Sequence, residues 1–165
     1  MNALFDEWLK LAEHIGKVCI AEKRIIVGAE SCTGGLVAGA LTAIAGSSAV
    51  VERGFITYSN AAKTELLGVP AELIEAHGAV SEPVARAMAD GAVKRSPAQV
   101  SVSVTGVAGP GGGSADKPVG LVHFGAVGPA GAIHIEHRFG DIGREEVRLA
   151  SVRLALDLLL DRIGA

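Results

Sequence analysis

The sequence predicts an α/β protein: a single three-layer α/β/α domain over residues 1–165, with a mixed, mainly parallel sheet and one antiparallel hairpin. Three observations carry this. Short β-branched runs alternate with segments of helical apolar spacing, the order that builds a parallel sheet covered on both faces. Two strand-like runs flank the turn Gly128-Pro129-Ala130-Gly131, which reads as a hairpin. Of 165 residues 49% are apolar, enough to bury a core without disulfides or metals.

The elements follow in order. Leu4, Trp8, Leu11, Ile15 and Val18 make one apolar stripe and predict a helix over 2–22. "RIIVGA" is short and β-branched, as a buried strand is. Ala- and Leu-rich residues from Thr33 to Ile44 predict a helix ended by Gly46. "AVVERGFITYS" reads as a second strand, with Asn60 the cap of a short helix to Leu67. A short helix follows Gly68, then a longer one, where Ser81 ahead of Glu82 and Pro83 fits an N-cap with proline in the first turn. "AQVSVSVTG" alternates as a strand does, and a glycine loop runs from Gly106 to about Pro118. After the hairpin, Arg144 to Ile163 predicts a helix whose wide apolar face packs on the sheet.

Composition narrows the function. The net charge of −3 provides no global attraction for nucleic acid or acidic membranes. Cys19 and Cys32 are the only cysteines, so a reducing, cytoplasmic setting is the simpler expectation. "MNALFDEWLK" is no signal peptide, and no apolar run approaches the roughly 20 residues that span a bilayer. No Cys/His cluster has zinc spacing, so neither a metal nor another cofactor is expected. Apolar richness in so small a chain makes a homo-oligomer an expectation.

Chemistry concentrates where strands end. In "IIVGAESCTGG" a strand meets a tight turn and a helix start, a place with free N–H groups and a partial positive field suited to an oxyanion or phosphate. Ser31 stands there as a candidate nucleophile, and Gly34 and Gly35 let the backbone approach a ligand. An equally local reading makes Ser31 or Thr33 an N-cap contributing about 1 kcal/mol. Cys32 is the rival nucleophile, but adjacent side chains diverge, so it is expected to pack inward. In "ITYSNAAKTELLG", Tyr58 ends a strand and Lys63 lies in the following helix. Lysine titrates near 10.4, so neutralising it at pH 7 costs roughly 4–5 kcal/mol unless a dry pocket lowers its pKa. The surface-lysine reading stays open beside that of a proton acceptor. In "SVTGVAGPGGGSADKPVG", Thr105 ends a strand, and Gly106, Gly109, Gly111, Gly112, Gly113 and Ser114 could form an anion nest or a flexible connection. Arg144 opens the last helix, placed for an anionic ligand or for helix-surface pairing. No histidine has an evident carboxylate partner.

Together, "AESCTGG", "AGSSAVVERGFITYSNAAKTELLGV", "GAVSEPVARAMADGA" and "VTGVAGPGGGSADKPVGLVHFG" closely resemble the CinA C-terminal domain family, in order and over nearly the whole chain. The chain looks like the stand-alone, PncC-type form, since 165 residues leave no room for the N-terminal domain of full CinA proteins. The resemblance implies a single α/β/α domain and hydrolysis of nicotinamide mononucleotide to nicotinate mononucleotide and ammonia. It implies Ser31 as nucleophile, Lys63 and Tyr58 as its assistants, and Thr105 with the glycine loop as the substrate loop. N–H groups near Thr33 and Gly34, joined by Thr105, would hold the oxyanion. Glu30 and Ser48 match motif positions with supporting roles. The family's G-D-R before the last helix is replaced by "GDIGREE", a departure that bears on Arg144. Two rival expectations are a non-catalytic nucleotide-binding module linked to competence or DNA damage, and an amidase for another small carboxamide.

Overall fold

The computed structural model describes residues 3–164. Helix α1 (Ala3–Glu22) leads into β1 (Ile26–Glu30), then α2 (Leu36–Thr42), a 3-10 turn at Ser47–Ala49 and β2 (Phe55–Ile56). Helices α3 (Asn60–Leu67), α4 (Ala71–His77) and α5 (Glu82–Lys94) precede β3 (Val100–Gly106). The chain closes with β4 (Leu121–Gly128), β5 (Gly131–Arg138) and α6 (Arg144–Ile163).

The sheet order is β2-β1-β3-β4-β5. β1 pairs in parallel with β2 on one side and β3 on the other. β3–β4 and β4–β5 are antiparallel, the latter closing where Gly128 faces Gly131. The chain leaves β1 toward β2 and returns on its other side as β3. The carboxyl end of β1 is therefore a topological switch point, where ligands bind in open α/β sheets.

Each face of the sheet has its own core. On one, Trp8 and Ile15 of α1, Val37 and Leu41 of α2, and Val152, Leu156 and Leu159 of α6 cover Val102 and Phe124. On the other, Leu67, Ile74, Val84 and Met88 of α3–α5 cover Val27 and Ala29. Fully burying such side chains contributes about 1.5–3 kcal/mol each. All five residues of β1 are buried, as expected of a strand covered on both faces. Among the described residues, no helix is long and apolar enough to cross a membrane.

Four expectations shift locally. The helix expected over Thr33–Ile44 starts only at Leu36, because Gly34 (φ 57°) and Gly35 (φ 104°) turn the backbone left-handed first. The second strand shrinks to Phe55–Ile56 plus an isolated bridge from Val51 to Ile26, since Glu52, Arg53 and Gly54 are exposed at the sheet's edge. Ser59, not Asn60, caps α3, accepting from Ala62 N at 3.0 Å. Ser81 precedes α5, but its hydroxyl donates to Gly78 O at 2.8 Å rather than capping.

α3 and α5 approach closely at Gly91, where a Cβ would lie 2.0 Å from Leu67 O. Gly91→Ala gains about 1 kcal/mol of helix propensity, but the clash it introduces is larger. A net loss of about 1–3 kcal/mol is expected in urea unfolding.

Candidate active site

Both parallel ladders run one residue past β1. Thr57 N–H donates to Glu30 O at 2.8 Å, and Ser31 N–H donates to Val104 O at 2.9 Å. Ser31 is thereby set at the carboxyl edge of the sheet, with Thr57 on one side and Thr105 on the other.

Glu30 organises the turn beyond the strand. Its carboxylate is buried, 1% exposed, and one oxygen accepts from Thr33 Oγ1 at 2.6 Å, Gly35 N at 3.2 Å and Val37 N at 2.9 Å. The other accepts from Ala38 N at 3.1 Å. The first N–H groups of α2 are thus satisfied by a side chain from the preceding strand, and its negative charge suits the positive helix end. This corrects the local capping reading: neither Ser31 nor Thr33 caps α2, and the position before the helix, Gly35, has no side chain to cap with. It also makes the supporting role of Glu30 one of holding the turn rather than binding a substrate, since its oxygens are held by the protein. Gly34 N–H is taken too, donating to Ser31 O at 3.0 Å. Gly34 and Gly35 shape the turn; a Cβ on Gly35 would lie 3.0 Å from Ile56 Cδ1.

Lys63 is among the largest fully buried side chains, 1% exposed. It sits on α3 one turn after the Ser59 cap, which aims it back at the strand ends. Its Nζ lies 3.0 Å from Ser31 Oγ, 2.8 Å from Thr57 O and 3.4 Å from Tyr58 O. Burial lowers its pKa, opposed in part by Cys32. The geometry has a chemical consequence. Backbone carbonyls only accept, so two N–H groups of Nζ are directed at Thr57 O and Tyr58 O. Ser31 Oγ takes the remaining position around the nitrogen, which is that of an N–H in the ammonium and of the lone pair in the neutral amine. No carboxylate pairs with this amine among the described residues, so desolvation is not offset by an ion pair.

Ser31, Lys63, Thr105, Gly106 and Arg144 border one hollow of about 220 Å³. Thr105 Oγ1 donates to Ala79 O at 2.9 Å, fixing the wall opposite Lys63. Tyr58 is different from expectation in how it takes part. It meets Lys63 through its main-chain carbonyl, while its phenol is on a side chain 63% exposed and accepts from Arg144 Nη2 at 3.1 Å. Arg144 also donates to Gly109 O at 2.8 Å, joining the start of α6 to the glycine loop and to Tyr58 across the rim. Gly111, Gly112, Gly113 and Ser114 border a neighbouring hollow of about 540 Å³ with Arg138 and Asp141. Ser48 is not brought to the site. It is exposed in the turn before Val50, whose carbonyl receives Ile26 N, at the opposite end of β1. Cys32 packs inward, and burial pushes its thiol up to about 12, which removes it as a nucleophile near neutral pH.

Two residues were not read as part of the site from the sequence. Asn60 borders the hollow beside Lys63. Arg148 donates from α6 to two carbonyls of the turn after Ser31: Nε to Cys32 O at 3.0 Å and Nη2 to Thr33 O at 3.4 Å. A surface-like arginine in an amphipathic helix carries no local signal of such a contact. Histidines stand apart from Ser31. His123 and His134 share a 2.8 Å ring contact, flanked by Glu136 and Glu82 at 3.7 and 3.6 Å, and burial lowers both pKa values.

Fold and site define a class: a mixed α/β protein with a buried Ser–Lys pair at the carboxyl edge of its parallel strands. Residues 9–163 match the CinA C-terminal domain, and the chain belongs to that family. It is 50% identical to the nicotinamide-nucleotide amidohydrolase PncC of Enterobacter agglomerans, over 92% of each chain. It is 56% identical to a CinA-like protein of Parasynechococcus marenigrum (strain WH8102), over 83% of this chain and 33% of that one. The chain spans about a third of the length of the CinA-like relatives it matches. Among solved structures, the competence/damage inducible protein CihA from Agrobacterium tumefaciens superposes with a TM-score of 0.91 at 55% identity, covering 93% of this chain and 94% of that one. A CinA superfamily protein from Escherichia coli gives 0.88 at 36% identity, covering 93% and 88%.

Two outcomes test this arrangement. Glu30→Gln keeps the shape but weakens the charge-assisted cap of α2; a loss of about 2–3 kcal/mol is expected in urea unfolding. Because Lys63 has a lowered pKa when folded, the unfolded chain holds that proton to higher pH. Stability of wild type relative to Lys63→Met therefore rises with pH between the folded pKa and 10.5, with a slope up to about 1.4 kcal/mol per pH unit, measured by denaturation across pH.

Proposed function

We propose that this chain is a serine-type amidohydrolase that converts nicotinamide mononucleotide to nicotinate mononucleotide and ammonia. The observation that carries the reading is the buried Lys63 amine 3.0 Å from Ser31 Oγ, with two main-chain carbonyls orienting its hydrogens. The chain-length likeness to a protein named as a nicotinamide-nucleotide amidohydrolase supports the substrate class.

In this reading Ser31 Oγ attacks the carboxamide carbon while neutral Lys63 takes the hydroxyl proton. The tetrahedral intermediate collapses, the C–N bond breaks, and Lys63 returns the proton to the departing nitrogen, which leaves as ammonia. Water then attacks the acyl-enzyme. Lys63 takes a proton from it and returns that proton to Ser31, releasing the carboxylate. Burial serves this cycle by holding the lysine pKa closer to the working pH, where one group can both accept and donate. The Thr105–Gly106 edge positions the pyridine. Arg144, a rim cation with no carboxylate partner among the described residues, receives the phosphate alongside the glycine loop, exchanging its Tyr58 contact for the anion. Tyr58 contributes its carbonyl to Lys63 and its ring to the rim.

Ammonia release from nicotinamide mononucleotide, with nicotinamide and glutamine as controls, tests the proposal. Ser31→Ala and Lys63→Met are each expected to lower kcat by about 10³-fold or more. In wild type, kcat/KM rises with pH through the lowered Lys63 pKa and levels off above it, because the ammonium form cannot accept the proton. Undiminished turnover in either variant overturns the mechanism. Release from glutamine but not from the nucleotide overturns the substrate.

A further inference from the structure

The turn after β1 has an unequal hydrogen-bond account. Ser31 N–H goes to Val104 O, Gly34 N–H to Ser31 O and Leu36 N–H to Thr33 O. Gly35, Val37 and Ala38 give theirs to Glu30. From Ser31 to Ala38 this leaves the N–H groups of Cys32 and Thr33 without an oxygen acceptor among the described residues, Cys32 N–H meeting only its own sulfur. Both residues are buried, Cys32 6% and Thr33 0% exposed. Unpaired N–H groups in a buried turn are rare in folded proteins and cluster where chemistry uses them.

The carbonyls explain the arrangement. In a trans peptide the C=O and the N–H of the next residue point in opposite directions. Ser31 O is drawn into the turn by Gly34 N–H, so Cys32 N–H points out of it. Cys32 O and Thr33 O are drawn to the Arg148 guanidinium, so Thr33 N–H points away from α6. Glu30 thus holds the turn by its N–H groups and Arg148 by its carbonyls. Cys32, the residue after the nucleophile, borders the same hollow as Ser31 and Lys63.

We infer that the Cys32 main-chain N–H is an oxyanion donor for the Ser31 reaction, and that Arg148 is the positioning residue that orients it from the next two peptides of the turn, whose Cys32 and Thr33 carbonyls it holds. The inference rests on the reading of Ser31 as nucleophile. It replaces the oxyanion donor expected at Gly34, whose N–H is spent inside the turn. The guanidinium reaches this donor through a chain of peptides: Arg148 donates to Thr33 O, Gly34 N–H of that same peptide donates to Ser31 O, and the Ser31–Cys32 peptide presents Cys32 N–H. A lysine there keeps the charge but has no rigid fork to hold two carbonyls at once.

The experiment uses the purified full chain and three variants: Arg148→Gln, Arg148→Lys and Arg148→Ala with added guanidinium ion. Three quantities are read: kcat and KM for nicotinamide mononucleotide, the melting temperature, and the rate at which a fluorophosphonate labels Ser31, followed by intact mass. In that labelling the Ser31 Oγ–P bond forms, fluoride leaves with the P–F pair, and Lys63 takes the proton. It builds negative charge at the same place without needing a nucleotide. Loss of one oxyanion donor lowers kcat by about 10²–10³-fold. A fall of about 10²-fold in kcat and in labelling rate is expected for Arg148→Gln, with KM within about twofold, less for Arg148→Lys. Guanidinium is expected to restore at least about tenfold to Arg148→Ala, a response that a merely loosened fold does not give.

Wild-type kcat and labelling in a folded Arg148→Gln overturn the inference, as does a loss confined to KM. If Arg148→Gln does not fold, Arg148→Lys decides: full wild-type rates at unchanged melting temperature overturn it. If wild type labels at Ser31 with a rate that depends on Arg148 but releases no ammonia from the nucleotide, the substrate reading falls and the inference stands. If wild type is not labelled at all, the nucleophile reading and the inference fall together.

Discussion

The carboxylate of Glu30 sits at the end of a strand buried on both faces, in a position where an unpaired charge would be too costly to keep. It is tolerated because four donors converge on it, three of them the opening N–H groups of α2 and its approach. Strand end, turn and helix start are locked together by this one group. The usual arrangement, in which a Ser or Thr just before the helix caps it, is displaced. Ser31 is thereby released from a structural duty its position would otherwise impose, and its hydroxyl meets Lys63 instead.

Lys63 makes the opposite demand on the same few ångströms. A fully buried amine with no carboxylate partner is destabilising as an ammonium and answers by a lowered pKa. The fold accommodates it through the same device that sets Ser31, the extension of both parallel ladders beyond β1. That extension carries Thr57 O and Tyr58 O to within reach of Nζ. Glu30 and Lys63 thus lie buried around Ser31 without touching each other, the first compensated by four donors, the second without a carboxylate partner among the described residues. The contrast is what a site does when environment, rather than residue type, sets the role of each group. Cys32 shows the same principle from its other side, since the thiol beside Ser31 is held protonated by burial.

Around this centre the two cores divide the work. Helix α3, which carries Lys63, and the α4–α5 connection with Ala79 belong to one face, whereas α2 and α6, which carry the turn's restraints, belong to the other. The geometry around Ser31 therefore depends on both cores packing against one sheet, with β1 as the shared reference. α6 has an unusual burden: its buried stripe seals one face, while Arg144 and Arg148, one turn apart, reach the rim and the turn.

Much of this was legible in the chain. Periodicity located β1, α1, α6 and the hairpin, because buried strands and amphipathic helices imprint their spacing on every residue they contain. "ESCTGG" marked a turn worth suspicion, and the resemblance of several separated stretches to one family joined Ser31 to Lys63 by association. What local pattern could not supply was distance. Residues 31 and 63 meet only because β2 lies beside β1, a pairing with two residues of regular ladder and little sequence signature. The left-handed Gly34–Gly35 step, the cap supplied from a strand instead of the turn, the exile of Ser48 to the far end and the reach of Arg148 across 116 positions all depend on where elements pack. The sequence by itself determined which elements form and which side chains could react. The tertiary structure alone decided which of them are desolvated together, because burial and hydrogen-bond direction are properties of assembled neighbours and not of any one segment.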